Sequence, residues 1–408
     1  MHIVCIHQHF TTPKGITIIR SYEFAKRWIA KGHKVTVIAS TAQLTKDDLS
    51  AARGSFFKKF TADGINVIAM AIPYRQQMGV LKRCLSFAVF SLLCSIAILF
   101  IRKFDVVYAI STPLTTGIPA IAAKWFKRKN FVFEVCDQWP ASVVELGVIT
   151  NKFVIAILAW LEKFIYKKSS VIVAVSDGMA ESIRKIAGPD KPIYVVPNSA
   201  DLDLFRPDID GSQIRKNRNW DKKFVFLHAG AMGKTNSLNF VIDAASRLKQ
   251  YRDIMFVLIG EGSQKPALSG RIKELNLTTV EIISAVPRTQ LPPYLAAADV
   301  IMCIIGNFPI IEQHASLNKF YDGLAAGKPI ILNYDGWQGQ ALKEKNAGLG
   351  SKLCNLDEFV QNILYLYNNR NLLPQMGKNS RSFAQEKFDR DMLAQIALDA
   401  ISKAAKND

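Results

Sequence analysis

The stretch Asn318 to Pro329, NKFYDGLAAGKP, constrains this chain more than any other. Two alanines, a glycine and Lys-Pro lead directly into the apolar run Ile330-Ile331-Leu332, which spells a short helix, a glycine stop and a strand. Lys319 and Asp322, three residues apart, share one face of that helix, so a cation and a carboxylate project together from its first turn. A helix start of this kind can hold phosphate on free N–H groups while the carboxylate accepts from sugar hydroxyls. Taken alone, a K-x-x-D pair reads first as an ordinary surface ion pair.

The rest of the chain predicts two α/β domains, because 408 residues exceed what one core holds. Residues 2–6, an apolar strand, a loop to Gly15, a helical run over 16–30 and a strand at 35–39 make a βαβ opening. No GxGxxG follows the first strand, which argues against a dinucleotide site there. Residues 40–63 are polar and poorly periodic and read as a loop with a short helix. Strands are expected at 65–72, 105–110, 131–135, 171–176 and 193–196. In the second half they are expected at 224–228, 254–259, 280–283, 299–304 and 330–333, and an amphipathic helix at 382–403. The six cysteines lack CxxC spacing and read as reduced core thiols. Ile3 to Ile6 already forms a strand with no cleavage site after it, so no secretory leader is expected.

Charge and hydropathy are uneven. Residues 1–195 hold 26 basic and 12 acidic side chains, leaving 26 and 22 for the remainder of a chain whose net charge is +18. A basic first half suits anionic lipid better than nucleic acid, for which no binding module is present. Cys84 to Ile101 is uncharged and meets the minimum length of a spanning helix, with Lys82, Arg83, Arg102 and Lys103 at its ends. A span would split one sheet across a bilayer, so the expectation is a helix packed on the sheet with its other side toward lipid, beginning around Tyr74, Arg75, Lys82, Arg83 and Leu85. A plain core helix is the alternative.

With Gly230, Gly260, Gly262, Pro287 and Arg288 upstream, the segment 318–329 resembles the donor half of retaining family-4 glycosyltransferases, which have the GT-B fold. The resemblance runs nearly end to end and is nearest to bacterial surface-polysaccharide enzymes resembling N-acetylfucosamine transferases. It implies two Rossmann-like domains with parallel sheets facing across a cleft, residues 1–197 and 198–384, and a C-terminal helix of about 385–408 crossing back to the first. The first would bind acceptor at the membrane and the second a nucleotide sugar.

The resemblance also implies roles. Gly15 would lie near the donor phosphates, unless it is simply a turn glycine. Gly230, Gly260 and Gly262 would let the donor approach the backbone, and Pro287 and Arg288 would lie beside the base. Ser316, Leu317 and Asn318 would offer backbone donors to the diphosphate, with Lys319 stabilising the leaving group and Asp322 holding the ribose. E-V-C-D-Q-W-P at 134–140 matches E-x-R-D-x-W-P, with Asp137 orienting or deprotonating the acceptor hydroxyl and Cys136 replacing a basic residue. The family's arginine and lysine clamp is absent at Ala231 and Ser237, leaving Lys234 as a substitute cation. The first member of its acidic pair falls at His314, with Glu312 nearby.

No paired DxD carboxylates and no metal-ligand set stand out, so no metal or other cofactor is expected. The implied reaction is retaining hexosyl transfer from a UDP-sugar to a polyprenyl-diphosphate-linked saccharide in O-antigen, capsule or exopolysaccharide synthesis, on the cytoplasmic face of the membrane. A UDP-sugar epimerase of the same fold and a catalytically silent membrane-surface protein are the alternatives.

Overall fold

Runs such as HIVCI and VVYAI, apolar at every position, suit strands covered on both faces. In the computed structural model, which describes residues 1–15, 19–50, 52–74 and 78–406, they form two separate sheets. The chain divides into a unit of Met1–Pro197 with Arg390–Asp408 and a unit of Asn198–Asp389. Each unit holds one of the sheets, in keeping with the two α/β domains expected from the chain length.

The N-terminal unit holds eight strands: β1 His2–Ile6, β2 Lys34–Ser40, β3 Phe57–Ala62, β4 Ile65–Met70, β5 Val106–Ile110, β6 Phe131–Val135, β7 Val171–Ala174 and β8 Ile193–Val195. Their order is β3-β4-β2-β1-β5-β6-β7-β8, parallel except for β3. Alternate residues serve opposite faces. Ile3 and Cys5 pack under helices Arg20–Ala30 and Arg390–Lys406, while Val4 and Ile6 pack under the helices Val80–Phe100 and Gly117–Lys127. The C-terminal helix is tied down by Trp28, whose Nε1 donates to the Ala394 carbonyl at 2.9 Å, and by Arg390 on Glu23 at 3.3 Å.

Two expectations need correction. Residues 57–62 are not loop but the antiparallel edge strand β3, joined to β4 through Asp63-Gly64, both at positive φ. The Asp-Gly hairpin signal was present, but FKKFTA, with Lys58 and Lys59 on an edge, lacks the apolar run of a central strand. The terminal helix does not run through 382–403 either. It breaks at Phe388-Asp389 into Leu373–Lys387 and Arg390–Lys406, because Phe388 is buried among Phe320, Tyr321 and Phe383 and its carbonyl accepts from Ala200 N–H at 2.8 Å.

Val80–Phe100 is a 21-residue helix, long and apolar enough to cross a membrane, and it packs one side on the sheet. Phe87, Phe90, Cys94 and Ile98 are buried, while Leu81, Leu85, Leu92, Ile96 and Phe100 form an exposed stripe, Phe100 at 80%. Of the residues expected to begin the surface, Arg75 lies outside the described residues.

The C-terminal unit has six parallel strands, β9 Phe224–Ala229, β10 Ile254–Ile259, β11 Val280–Ile283, β12 Val300–Cys303, β13 Ile330–Leu332 and β14 Gly348–Leu349, ordered β11-β10-β9-β12-β13-β14. Val225 and Leu227 face one helical layer, Phe224 and Phe226 the other. The order reverses between β9 and β12, and helix Asn318–Ala325 follows β12.

Candidate active site

Open parallel sheets receive ligands at the carboxyl ends of their strands, where the order reverses. In the C-terminal unit the loops after β9 and β10 interlock there. Gly230 N–H donates to Ile259 at 2.9 Å, Met232 N–H to Glu261 at 2.8 Å and Gln264 N–H to Met232 at 2.9 Å. A Cβ at position 260 would lie 1.9 Å from the Gly230 carbonyl oxygen, and one at 262 would lie 2.3 Å from that of Met232. The close approach expected at Gly260 and Gly262 is thus made by the neighbouring loop.

Gly230 has a different neighbour. A Cβ there would meet Lys319 Cε at 3.1 Å and Nζ at 3.5 Å, so the lysine stem lies across it. Lys319 rises from the first turn of helix Asn318–Ala325, and its Nζ donates to Asn236 Oδ1 at 2.7 Å. The Asn236 amide donates in turn to the Ala231 carbonyl at 2.6 Å. One side chain therefore fastens the ammonium to the loop after β9. Burial lowers the Lys319 pKa to about 8, against a smaller raising effect of Cys303. Burial first, and then the Lys319 charge, keep the adjacent His228 imidazole neutral.

Helix Asn318–Ala325 begins at Leu317 without a side-chain cap. Ser316 is held by Asn198, whose N–H donates to Ser316 Oγ at 3.1 Å and whose amide donates to the Ser316 carbonyl at 2.6 Å. Ser316 Oγ also lies 2.9 Å from the Tyr321 hydroxyl.

Lys319 and Asp322 line one small recess with Leu227, Ala229, Leu291, Leu295 and Ile301, yet each bonds elsewhere. Arg288 grips Asp322 as a fork, Nη1 to Oδ2 at 2.8 Å and Nη2 to Oδ1 at 2.7 Å. Its guanidinium lies 4.9 Å from the centre of the Phe205 ring and 3.8 Å from Asp201. Asp322 is 5% exposed. Asp322, expected to be an open acceptor, is thus half of an ion pair. Arg288 turns to that carboxylate from the single turn Arg288–Gln290 that Pro287 caps.

Lys234 is exposed in the turn after Gly233. Glu312 accepts from Asp335 N–H at 3.1 Å, which secures the start of helix Gly336–Lys345, and His314 is buried with its pKa lowered by that burial. Among the described residues no group of three or more His, Cys, Asp or Glu side chains gathers that could hold a metal ion.

In the N-terminal unit the loops after β5 and β6 meet. Asp137 Oδ2 accepts from Thr112 Oγ1 at 2.8 Å, and Cys136 N–H donates to Ser111 Oγ at 3.0 Å. Crowding by the surrounding protein raises the Asp137 pKa while the Thr112 bond opposes it; the residue's open, exposed position limits the size of that effect. Glu134, which opens the E-V-C-D-Q-W-P segment, is fully buried, and its Oε1 accepts from Arg20 Nε at 2.7 Å. Arg20 also donates to the carbonyls of Val196 at 2.7 Å and Pro197 at 2.5 Å, holding the end of the unit's first segment. Gly15 closes the turn from Thr12 at 2.9 Å, and a Cβ there would meet Thr11 Oγ1 at 2.2 Å.

Asn236, Arg20 and Asn198 organise their loops without any signal in the sequence that singles them out. Asn236 sits in an ordinary polar turn, GKTNS, and only the spatial arrival of Lys319 distinguishes it.

Comparison with known proteins identifies the domains that carry these residues. Residues 18–199 match the Glycosyl transferase 4-like domain and residues 210–383 the Glycosyl transferases group 1 domain. The chain is 24% identical over 306 residues to a putative glycosyltransferase, YtcC, of Bacillus subtilis strain 168, covering 70% of this chain and 69% of that one. It is also 24% identical over 239 residues to the UDP-Gal:alpha-D-GlcNAc-diphosphoundecaprenol alpha-1,3-galactosyltransferase of Escherichia coli, covering 57% and 60%. Anabaena HepE in complex with UDP-glucose shares the fold at a TM-score of 0.71 and 16% identity, over 98% of this chain and 100% of that one. Since the two domain matches together account for most of its length, this chain belongs to the family-4-like, group 1 glycosyltransferases of the GT-B fold, among relatives that build bacterial polysaccharides.

Proposed function

We propose that this glycosyltransferase moves a hexosyl group from a UDP-sugar to a lipid-linked saccharide, with retention at the anomeric carbon and without a divalent cation. The observation that carries the reading is Lys319, a buried ammonium fixed over Gly230 by Asn236 at the uncapped start of helix Asn318–Ala325. The departing diphosphate develops negative charge, and an ammonium already in position beside helix N–H groups meets that charge without reorganising. The Asp322–Arg288 pair offers the ribose the carboxylate's remaining lone pairs. Asp137, in the N-terminal unit, orients the acceptor hydroxyl or takes its proton.

The relatives support the substrate classes: HepE is described in complex with UDP-glucose, and the Escherichia coli enzyme is named for a diphosphoundecaprenol-linked acceptor. The exposed apolar stripe of helix Val80–Phe100 supports work at the inner surface of the plasma membrane. Incubating the protein and bacterial membranes with a panel of radiolabelled UDP-sugars tests the reading. Label appearing in lipid is the expected result. Interconversion of the free UDP-sugar would indicate an epimerase, and neither outcome with any sugar would indicate a silent surface protein.

A further inference from the structure

The N-terminal unit carries a second concave site that the reaction above leaves unused. It is a pocket of about 360 Å³ at the amino ends of β1, β5 and β6, lined by Arg102, Lys103, Lys127 and Lys129 together with His2 and Asp105. Asp137 and Thr112 follow the opposite, carboxyl ends of β6 and β5, so a strand's length, on the order of 15 Å, separates this pocket from the acceptor loops.

Local structure assembles the four cations. Helix Gly117–Lys127 ends at Arg128 in the left-handed conformation, φ 52°, and Lys129 N–H bonds back to Ala123 at 3.3 Å, so Lys127 and Lys129 fall either side of a tight turn. Helix Val80–Phe100 ends beside it. His2 fixes the segment that follows: its Nδ1 donates to the Lys103 carbonyl oxygen at 2.5 Å, and because burial first of all lowers the ring's pKa, the neutral form accepts at Nε2 from Thr36 Oγ1 at 2.9 Å. Asp105, the sole acid of the lining, accepts from His2 N–H at 2.6 Å. The pocket therefore keeps a surplus of positive charge.

Basic residues after helix ends complement the helix dipole, and that alone would account for cations at either terminus. It does not account for two helix ends and a strand start converging on one hollow. Nor does it account for the apolar residues beside it: Phe100 is 80% exposed immediately before Ile101-Arg102, and Trp125 and Phe126 are 57% and 72% exposed immediately before Lys127. Exposed aromatic rings next in sequence to clustered cations are the pattern of an interface where acyl chains meet phosphate.

We propose that this pocket binds the phosphate of an anionic phospholipid in the bilayer, with Phe100, Trp125 and Phe126 entering the adjoining acyl region. The proposal rests on the membrane-surface reading given above and deepens it. The apolar stripe supplies contact area, and the phosphate pocket fixes which edge of the sheet lies against the headgroups. The acceptor loops at the other edge are thereby held at a set height.

Vesicle co-sedimentation of the full chain tests it, using phosphatidylglycerol-containing and pure phosphatidylcholine vesicles. Replacing all four of Arg102, Lys103, Lys127 and Lys129 by Ser should weaken binding to the anionic vesicles by up to ~600-fold, at about fivefold per cation. A matched control in the other unit, Ser at Lys216, Lys222, Lys273 and Lys343, removes the same charge from exposed positions and should leave vesicle binding within about twofold. Thermal unfolding and far-UV circular dichroism should be native in both variants and report that each is folded. Equal losses in the two quadruple variants, or native binding by the pocket variant, overturn the pocket. Leu92→Ser with Ile96→Ser separates the two ideas: if that variant also binds both vesicle types like the native chain, the membrane reading itself falls. Loss in the apolar variant with native binding in the pocket variant removes only the phosphate site.

Discussion

The two units share one architecture, a parallel sheet between helical layers, and differ most in what they leave outside. Among the described residues, every large apolar side chain left exposed belongs to the N-terminal unit except Tyr365. The excess of positive charge is on the same side: 26 basic against 12 acidic residues before position 196. A fold needs neither feature, since the C-terminal unit builds the same sheet without them. Exposed apolar stripes rimmed by cations are a property of the surface, and they separate a unit suited to an interface from one suited to a polar, water-soluble ligand.

Perturbed titrating groups lie in both units. In the C-terminal unit burial lowers the pKa of Lys319, at the carboxyl ends of the strands. In the N-terminal unit burial raises that of Glu162, on the inner side of helix Lys152–Lys168, to about 7 against hydrogen bonds from Tyr166 and Gln138.

The largest expected effect tests the division outright. Lys319→Met should lower transfer from the UDP-sugar ~100- to 1,000-fold, the size seen when a single preorganised stabiliser of developing charge is lost. Vesicle binding should not move; a parallel loss of vesicle binding would mean that the units do not divide these tasks.

Replacing Trp125 and Trp160 by Ala should lower transfer to a membrane-embedded acceptor ~10- to 100-fold, because each partly exposed ring contributes about 1 kcal/mol of apolar burial in the membrane. UDP affinity measured by calorimetry should stay native. A change in UDP affinity would break the comparison from the other side.

A smaller effect concerns pH. The ammonium of Lys319, near pKa 8 when free, is favoured by an arriving diphosphate, so UDP affinity should be flat below pH 8 and fall up to ~10-fold per unit above it. Lys319→Arg stays charged and should lose that dependence, even if its affinity is lower at every pH. A native profile that is flat to pH 9.5 would remove Lys319 from the diphosphate.

The smallest effect is on stability. The raised pKa of Glu162 gives a stability term fully present below the unfolded value near 4.5 and lost as pH rises through about 7. Glu162→Gln should therefore match the native unit at pH 4.5 and gain ~1–2 kcal/mol by pH 8. Unfolding followed at both pH values checks the sign, and a gain already complete at pH 4.5 would contradict it.

What was legible in the sequence is local in origin. Continuous apolar runs gave most of the strands, and LAAGKP gave a helix, its stop and the next strand. Periodicity and turn chemistry act over a few residues and can be read there. The edge strand β3 escaped because an edge tolerates lysines that a central strand would not.

The site was legible only in its parts. NKFYD announced that a lysine and a carboxylate would share a helical face, and they do. That Lys319 would find Asn236, that Asp322 would be held by Arg288, and that Glu134 would be buried on Arg20 depended on positions 83, 34 and 114 residues away. The cations at 102, 103, 127 and 129 likewise become a pocket only where two helices end together. A charged side chain chooses its partner by distance and burial, which the fold sets, whereas a backbone segment chooses helix or strand largely from its neighbours in sequence.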